Sequence, residues 1–375
     1  MRVLVVTAVV ASHFGPCAPL AWALRSAGHD VVVAADPATA AAVAGAGLPT
    51  RAAGTDARFA ARYRDQCGGD PKALFCAVAA AMCEEVLPWA RWWRPDVVVH
   101  DPTAFAGPVV AAATGALAVR ASWGPDLVLR GRGPAGYPDA LEDLAGRHGV
   151  SVRQSPPGPD LDPTPALAQL PDLPGRVAVR PLPWTGATRI PVGGSAVLAA
   201  PGPARRVVVC LGRSRDDLGS DGDVERVLAG VDALVGDGVE VVVAATGGQA
   251  AAVRRSAPHA RTLVEAPLDR LLPGAALLVH HGGAGSASAG AVAGVPQLAV
   301  PDAPENRFSA GRYALTGATR VLPEGADVTA ACRALLDDAG ARAAADRVRA
   351  ELLAAPPPAR VAHDLVHHHL PGAVR

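Results

Sequence analysis

Short runs of apolar, β-branched residues recur along the chain, each followed by a stretch with helical spacing, and this alternation restricts the fold more than any other feature. RVLVV (2–6) precedes PLAWALRSAG (19–28), and DVVVAA (30–35) precedes an alanine-rich helical stretch ending near Gly45 or Gly47. DVVVHD (96–101) precedes AGPVVAAATG (106–115), after which comes ALAVRAS (116–122). The pattern restarts with RVVVCLG (206–212), a helix from about Val224, EVVVAAT (240–246), TLVEAP (262–267), ALLVHH (276–281) and QLAVP (297–301). Strands without polar alternation are buried on both faces, and strands alternating with helices build a parallel sheet that the helices cover. The chain therefore reads as α/β, with two doubly wound parallel-sheet, Rossmann-like domains facing each other across a cleft. Ligands of such sheets bind at the carboxyl ends of the strands.

A chain of 375 residues exceeds one comfortable hydrophobic core. Residues 151–205 turn proline-rich (SPPGPDLDPTPALAQLPDLPG, PLPWTGATRIPVGG, APGPAR), which favours extended segments and turns and marks a domain connection. The expected division is an N-terminal domain over 1–195, a linker over 196–205, a C-terminal domain over 206–355, and a helical segment over 356–375 that could return to the N-terminal domain. Within that last segment, ARVAHDLVHHHL (359–370) is helical in pattern, but its docking is not fixed by sequence.

Half of the residues are apolar and the formal net charge is +0, which argues against a disordered or nucleic-acid-coating protein. Lys72 is the only lysine. The cysteines (Cys17, Cys67, Cys76, Cys83, Cys210, Cys332) show no CxxC spacing and read as reduced core residues of a cytosolic protein. MRVLVVTAVVAS carries one arginine and many β-branched residues, so it reads as a first buried strand rather than a signal peptide. No stretch reaches the ~18 uninterrupted apolar residues of a membrane span, and a cytoplasmic location is expected. Residues 67–94 carry Phe75, Met82, Trp89, Trp92 and Trp93 on a helical pattern; such aromatics either pack or line a pocket.

The stretch HHGGAGS (280–286) follows the apolar run ALLV and precedes the helical pattern SASAGAVAG. Glycines at a strand-to-helix turn let backbone amides and the positive end of the helix dipole approach an anion. An imidazole of His281 and the hydroxyl of Ser286 can donate further hydrogen bonds. A metal site fits less well, because adjacent histidines on a strand point to opposite faces and no Cys, Asp or Glu stands at ligand spacing. Glycines alone leave a packing turn open as well.

HHGGAGS followed by AVAGVPQLAVP resembles the donor-binding motif of nucleotide-sugar-dependent glycosyltransferases of the GT-B fold, most closely those that decorate natural products in actinomycetes. SHFGPCAPLAWALRSAGHDV (12–31), HDPTAFAGPVVAAATGA (100–116), SWGPDLVLR (122–130), DPTP (162–165), RPLPWTG (180–186), LGRSR (211–215) and PLDRLLP (267–273) resemble further family segments in the same order. The WGPD and RPLPWTG pieces lean toward enzymes that use deoxythymidine-diphosphate (dTDP) deoxysugars, some of which need an activator protein. The resemblance implies an inverting, metal-independent transfer of a deoxysugar from a dTDP-sugar co-substrate, with no cofactor, to an apolar polyketide-like aglycone in antibiotic biosynthesis. It implies His13 as the base that deprotonates the acceptor, a role that suits an imidazole with pKa near ~6.5. Asp101 either fixes the His13 tautomer or caps the following helix; His100 is assigned a structural role.

By the same resemblance the donor is held by Ser214, Ala266, His281, Gly283, Gly285 and Ser286, with Glu305 and Asn306 aligned to the Asp-Gln pair that commonly grips the sugar. Trp92 and Trp123 are candidates for the acceptor side. The family often has an aromatic where Glu265 stands, and relatives that take UDP-sugars have a glutamate where this chain has Ala289, a departure that fits a 2′-deoxyribose donor. Asp221-Gly222-Asp223 reads as helix capping rather than as a cation motif, and the His367, His368 and His369 cluster as a solvated helix end. A homodimer is open; no nucleic acid, membrane span or metal is expected. The competing readings are a non-catalytic homologue that binds nucleotide or partners a transferase, and a nucleotide-dependent dehydrogenase, which the missing GxGxxG after the first strand disfavours.

Overall fold

The valines of the first run set the plan of the N-terminal half. Val3 and Val5 point to one face of strand β1 (Arg2–Thr7) and Leu4 and Val6 to the other, and all of them are fully buried. The computed structural model describes residues 1–55, 70–128, 139–155, 158–171, 175–184, 186, 205–212 and 222–368. By internal packing the chain forms two units, Met1–Pro163 with Pro171–Ala187 and Ala355–Arg375, and Thr164–Leu170 with Thr188–Ala354. Of the expected linker 196–205, only Arg205 lies among the described residues.

In unit 1, β1 is followed by α1 (Cys17–Ser26), β2 (Asp30–Ala35), α2 (Pro37–Gly45), β3 (Thr50–Ala52), α3 (Pro71–Trp93), β4 (Val97–His100), α4 (Ala106–Thr114), β5 (Leu117–Ala121), α5 (Asp139–Arg147), β6 (Asp160–Asp162) and β7 (Arg176–Ala178). All strands pair in parallel, in the order β3-β2-β1-β4-β5-β6-β7. The helices start where their sequences dictate. Asp36 caps α2 by accepting from the amides of Ala38 and Thr39, Asp70 caps α3 through Lys72, and a proline opens each of these helices. One face of the sheet packs on α3, α4 and α5, the other on α1 and α2.

Strands β6 and β7 lie inside the proline-rich stretch that reads as a connection. Each is a strand of only three residues toward the end of the sheet, too short for a periodic signal. Lys72–Trp93 of α3 is long and apolar enough to cross a membrane by length and composition. In this fold it is a core helix of unit 1, with Leu74, Met82, Leu87 and Ala90 buried.

In unit 2 the order is β8 (Arg206–Cys210), α6 (Gly222–Asp232), β9 (Glu240–Ala245), α7 (Ala250–Ser256), β10 (Arg261–Val264), α8 (Leu268–Leu271), β11 (Leu277–His280), α9 (Ala284–Ala293), β12 (Gln297–Ala299), α10 (Pro304–Ala314), β13 (Thr319–Val321), α11 (Val328–Leu336) and α12 (Ala339–Ala354). Its parallel sheet runs β10-β9-β8-β11-β12-β13. The short stretch Thr164–Leu170 belongs to this unit although chain order would put it with unit 1. Arg312 of α10 donates to the carbonyls of Leu167, Ala168 and Gln169, and Glu351 of α12 accepts from the amide of Ala166 at 2.7 Å. The last helix, α13 (Pro358–His368), packs on α1 in unit 1, burying Val361, Ala362 and Leu365.

In both sheets the strand order reverses at one place, between β1 and β4 and between β8 and β11. Loops leaving the carboxyl ends of such a pair diverge to opposite sides and open a crevice.

Candidate functional site

His13 lies at the first of these crevices. After β1 the chain enters a tight loop in which Val9 takes φ +71, a left-handed conformation that a β-branched residue adopts at a cost of about 1–3 kcal/mol. The loop is held by Asp36, whose Oδ2 accepts from the Val9 amide at 2.7 Å. The following 3-10 turn, Ala11–Phe14, presents His13. Its ring stacks on Trp123 with centroids 4.9 Å apart and planes at 19°. Burial lowers the pKa of His13 below the usual histidine value, a shift that the negative charge of Asp101 opposes, so the imidazole is neutral at neutral pH.

Asp101 follows β4 and its side chain is fully buried. Its Oδ2 accepts from Thr7 Oγ1 at 3.2 Å. Its Oδ1 accepts from Thr103 Oγ1 at 2.6 Å and from the amides of Thr103 and Ala104 at 2.8 and 3.2 Å. The two readings of Asp101 thus coincide, since the carboxylate caps the turn into α4 and also faces His13. The facing is indirect. His13 Nδ1 is 3.7 Å from Asp101 Oδ1 but 2.9 Å from Thr103 Oγ1. His100 has the structural place expected of it, donating from Nδ1 to the Asp101 carbonyl at 3.0 Å while Gly107 packs against its ring.

The loop carrying Trp123 is pinned by a buried ion-pair group. Arg120 of β5 contacts Asp126 and Asp160, each at 2.6 Å, and Ser122 Oγ donates to Asp160 at 2.9 Å. Burial raises the pKa of Asp160 despite the opposing charge of Arg120. Trp123 therefore forms the wall against His13. Trp92 does not join that wall. It is 76% exposed at the carboxyl end of α3, the end from which Trp93 receives a hydrogen bond from Arg2 at the start of β1. Helices covering a parallel sheet run opposite to the strands, which puts Trp92 at the amino ends of the strands, away from His13. The other aromatics of α3 pack, Trp89 on Trp93 at 4.9 Å and Phe75 on Phe105 at 6.1 Å.

At the second crevice, in unit 2, the imidazole of His281 lies between two glycines. A β-carbon on Gly212 would sit 2.6 Å from Nε2 of the ring, and one on Gly283 would overlap the same atom. Gly212 also has φ +83, which L side chains rarely adopt. Its carbonyl accepts from Gln249 Nε2 at 2.8 Å, fixing the end of β8 against the loop after β9. Gly283 is the N-cap of α9 without any side-chain cap, so the first amides of the helix are available to a ligand. A β-carbon on Gly285 would meet no atom within 4 Å among the described residues. Gly283 is thus needed by the histidine, while Gly285 leaves room beside the helix end.

Ser286 is buried in the first turn of α9, its Oγ 3.8 Å from Cys210 Sγ. His280 accepts at Nδ1 from the Gly282 amide at 3.1 Å, with Gln297 beside its ring, and burial brings its pKa down to about 3. It supports the turn as a neutral side chain. Asn306 Nδ2 donates to Asp302 at 3.3 Å, and the Asn306 carbonyl packs against Gly282. Glu305 is exposed in the first turn of α10. Ala266, half-buried, packs in the cluster with Cys210 and Ala244. Glu265, at φ +52, accepts from the Gly247 amide at 3.2 Å and ties neighbouring strand-end loops together, a job that an aromatic could not do.

Arg226, Asp302, Arg307 and Glu324 line one pocket with His281. Neither arginine was singled out by the sequence, since each sits within a helical pattern that explains it. Gly212 and Thr103 stand out in the sequence only as parts of the longer segments LGRSR and HDPTAFAGPVVAAATGA, because nothing local marks a glycine that serves a distant ring or a hydroxyl that serves a distant imidazole. Ser214 and Asp221 lie outside the described residues, as does His369. Among the described residues no cluster of His, Cys, Asp and Glu is arranged to hold a metal ion.

The model of the erythromycin biosynthesis protein CIII-like N-terminal domain matches residues 22–212, and that of the C-terminal domain matches residues 226–368. The chain belongs to this family. It is 30% identical to 10-deoxymethynolide desosaminyltransferase of Streptomyces venezuelae, over 97% of this chain and 96% of that protein. Among solved structures, the spinosyn rhamnosyltransferase SpnG complexed with thymidine diphosphate matches with a TM-score of 0.80 and 29% identity, over 97% of this chain and 100% of that one. The SpnG complex with spinosyn aglycone gives 0.81 and 31% over the same shares. The family member described here is a glycosyltransferase with the GT-B fold, of the actinomycete natural-product deoxysugar type. The resemblance carried by HHGGAGS and its collinear segments is borne out, and the dehydrogenase and non-catalytic readings are set aside.

Proposed function

We propose that the protein transfers a deoxysugar from a dTDP-sugar to an apolar polyketide-like aglycone, with inversion at the anomeric carbon and without a metal, in the cytoplasm. The observation that carries the reading is His13, a half-buried neutral imidazole beyond the carboxyl end of β1, at the place where the strand order reverses, backed by Asp101. Its Nε2 removes the proton from the acceptor hydroxyl as the oxygen attacks the anomeric carbon, and Asp101 stabilises the imidazolium that forms. Attack comes from the face opposite the nucleoside diphosphate. The departing diphosphate gains negative charge, which His281 and the first amides of α9 stabilise most in the transition state. The room beside Gly285, at the end of α9 that no side chain caps, suits an anionic ligand. A thymidine diphosphate complex of a structural neighbour and Ala289 in place of a glutamate support the dTDP donor.

A thermal-shift titration with thymidine and uridine diphosphates tests the donor. The thymidine form is expected to raise the melting temperature more at equal concentration. Equal shifts overturn the dTDP preference, and no shift with either overturns the donor site.

A further inference from the structure

We infer that Thr103 is a positioning residue that sets the tautomer of His13 and relays its charge to Asp101. The inference rests on the proposed role of His13 as base and adds a residue to it. The argument is a count of protons. An ionised carboxylate only accepts, so at the 2.6 Å contact with Asp101 Oδ1 the Thr103 hydroxyl is the donor. Its single hydrogen is then committed, and toward His13 Nδ1, 2.9 Å away, the oxygen can only accept. Nδ1 therefore carries the imidazole proton and Nε2 carries the lone pair, which is the form a base must have.

The direct route to the carboxylate is longer, with Nδ1 3.7 Å from Asp101 Oδ1, beyond hydrogen-bond range. Thr103 itself is held firmly, since its amide also donates to Asp101 Oδ1 at 2.8 Å. A face of the imidazole stacks on Trp123. The ring is thus fixed in its plane by the indole and in its rotation by the hydroxyl. When His13 takes up the acceptor proton, the bond from Nδ1 to Thr103 becomes charge-assisted and the adjoining Thr103–Asp101 bond strengthens with it.

The charged or titratable groups around the ring are few among the described residues. Asp101 comes from the turn that follows β4. Cys17 comes from the head of α1, its thiol pushed well up by burial and by the charge of Asp101. Asp36 at the end of β2 is committed to the Val9 amide, and Asp126 in the Trp123 loop to Arg120.

The test compares Thr103→Val, which keeps shape and removes the hydroxyl, with Thr103→Ser and His13→Ala. Thr103→Val is expected to lower kcat about 10-fold to 100-fold, the worth of one charge-assisted hydrogen bond, with acceptor KM nearly unchanged. The acid limb of its pH–rate profile moves to lower pH, because the imidazolium has lost its acceptor. Thr103→Ser restores both. Nitrogen-15 spectra of labelled His13 give a readout apart from turnover, with the Nδ1–H tautomer in the wild type and a mixture in Thr103→Val. Wild-type turnover in Thr103→Val, or the Nε2–H tautomer in the wild-type protein, overturns the inference. Wild-type turnover in His13→Ala instead overturns the reading of His13 as base, so the two failures are distinguishable.

Discussion

His13 in unit 1 and His281 in unit 2 both stand where the strand order of their sheet reverses, yet their rings meet different surroundings. His13 is fixed by hydrogen bonding and stacking, through Thr103 and Trp123. The ring of His281 is fitted against the backbone of Gly212 and Gly283. The difference follows from the work proposed for each. A base must present one particular nitrogen with its lone pair, so the other nitrogen needs a partner that dictates the proton. A ligand to diphosphate needs a fixed position for its donor, and glycines bring the ring close to the amides of α9. The crevices also differ in where their histidine comes from. His13 follows the first strand of its unit, whereas His281 follows β11, the strand that corresponds to β4 and Asp101.

The largest expected effect that could break this contrast is that of His13→Ala. Transfer should fall by about 10²–10⁴-fold, the usual contribution of a general base, while calorimetric affinity for thymidine diphosphate stays unchanged. Loss of nucleotide affinity in this variant would erase the division of labour.

Glycine substitutions sharpen the other half. Gly212→Ala forces a side chain into the His281 ring at φ +83, and should cost at least about 1 kcal/mol in unfolding free energy together with much of the nucleotide affinity. Gly285→Ala, with open space beside it, should leave the unfolding midpoint in place and weaken nucleotide binding only. If the two behave alike in denaturant titrations, packing on His281 is not what distinguishes these glycines.

A smaller and shared effect concerns pH. His280, with its folded pKa brought down by burial to about 3 against about 6.5 for an ordinary histidine, stays neutral in the native state while the unfolded chain takes up a proton. Its contribution is fully present above pH 6.5 and is lost as pH falls from there toward 3. Between pH 7.5 and 5 this amounts to about 2 kcal/mol. His13 acts in the same direction, so urea midpoints should drop across that window. A flat profile would contradict the neutral state of both histidines in the fold. The smallest effect is reserved for Trp92→Ala, which should leave turnover unchanged and stability within about 0.5 kcal/mol.

Much of this arrangement is legible in the chain itself. Val-rich strands such as RVLVV and DVVVAA bury both faces, so they specify a parallel sheet wherever they fall, and the helices between them follow from capping residues such as Asp36 and Asp70. A longer range is needed for what the sequence missed. Strands β6 and β7 owe their pairing to a sheet edge already in place, and their three-residue runs carry no periodicity of their own. Trp92 and Trp123 are alike as residues, and only the fold separates an exposed ring at one end of α3 from one stacked on His13.

The sequence by itself determined the α/β class, the repeated strand–helix order, and the strand-to-helix turn at HHGGAGS, because each depends on hydrophobic pattern and backbone freedom within a few residues. The tertiary structure decided the rest. It alone places Thr103 between His13 and Asp101, sets Gly212 against a histidine from another strand, commits Glu265 to a neighbouring loop, and docks α13 on α1. Each of these joins residues far apart along the chain, and such contacts exist only once the strands have taken their order in the sheet.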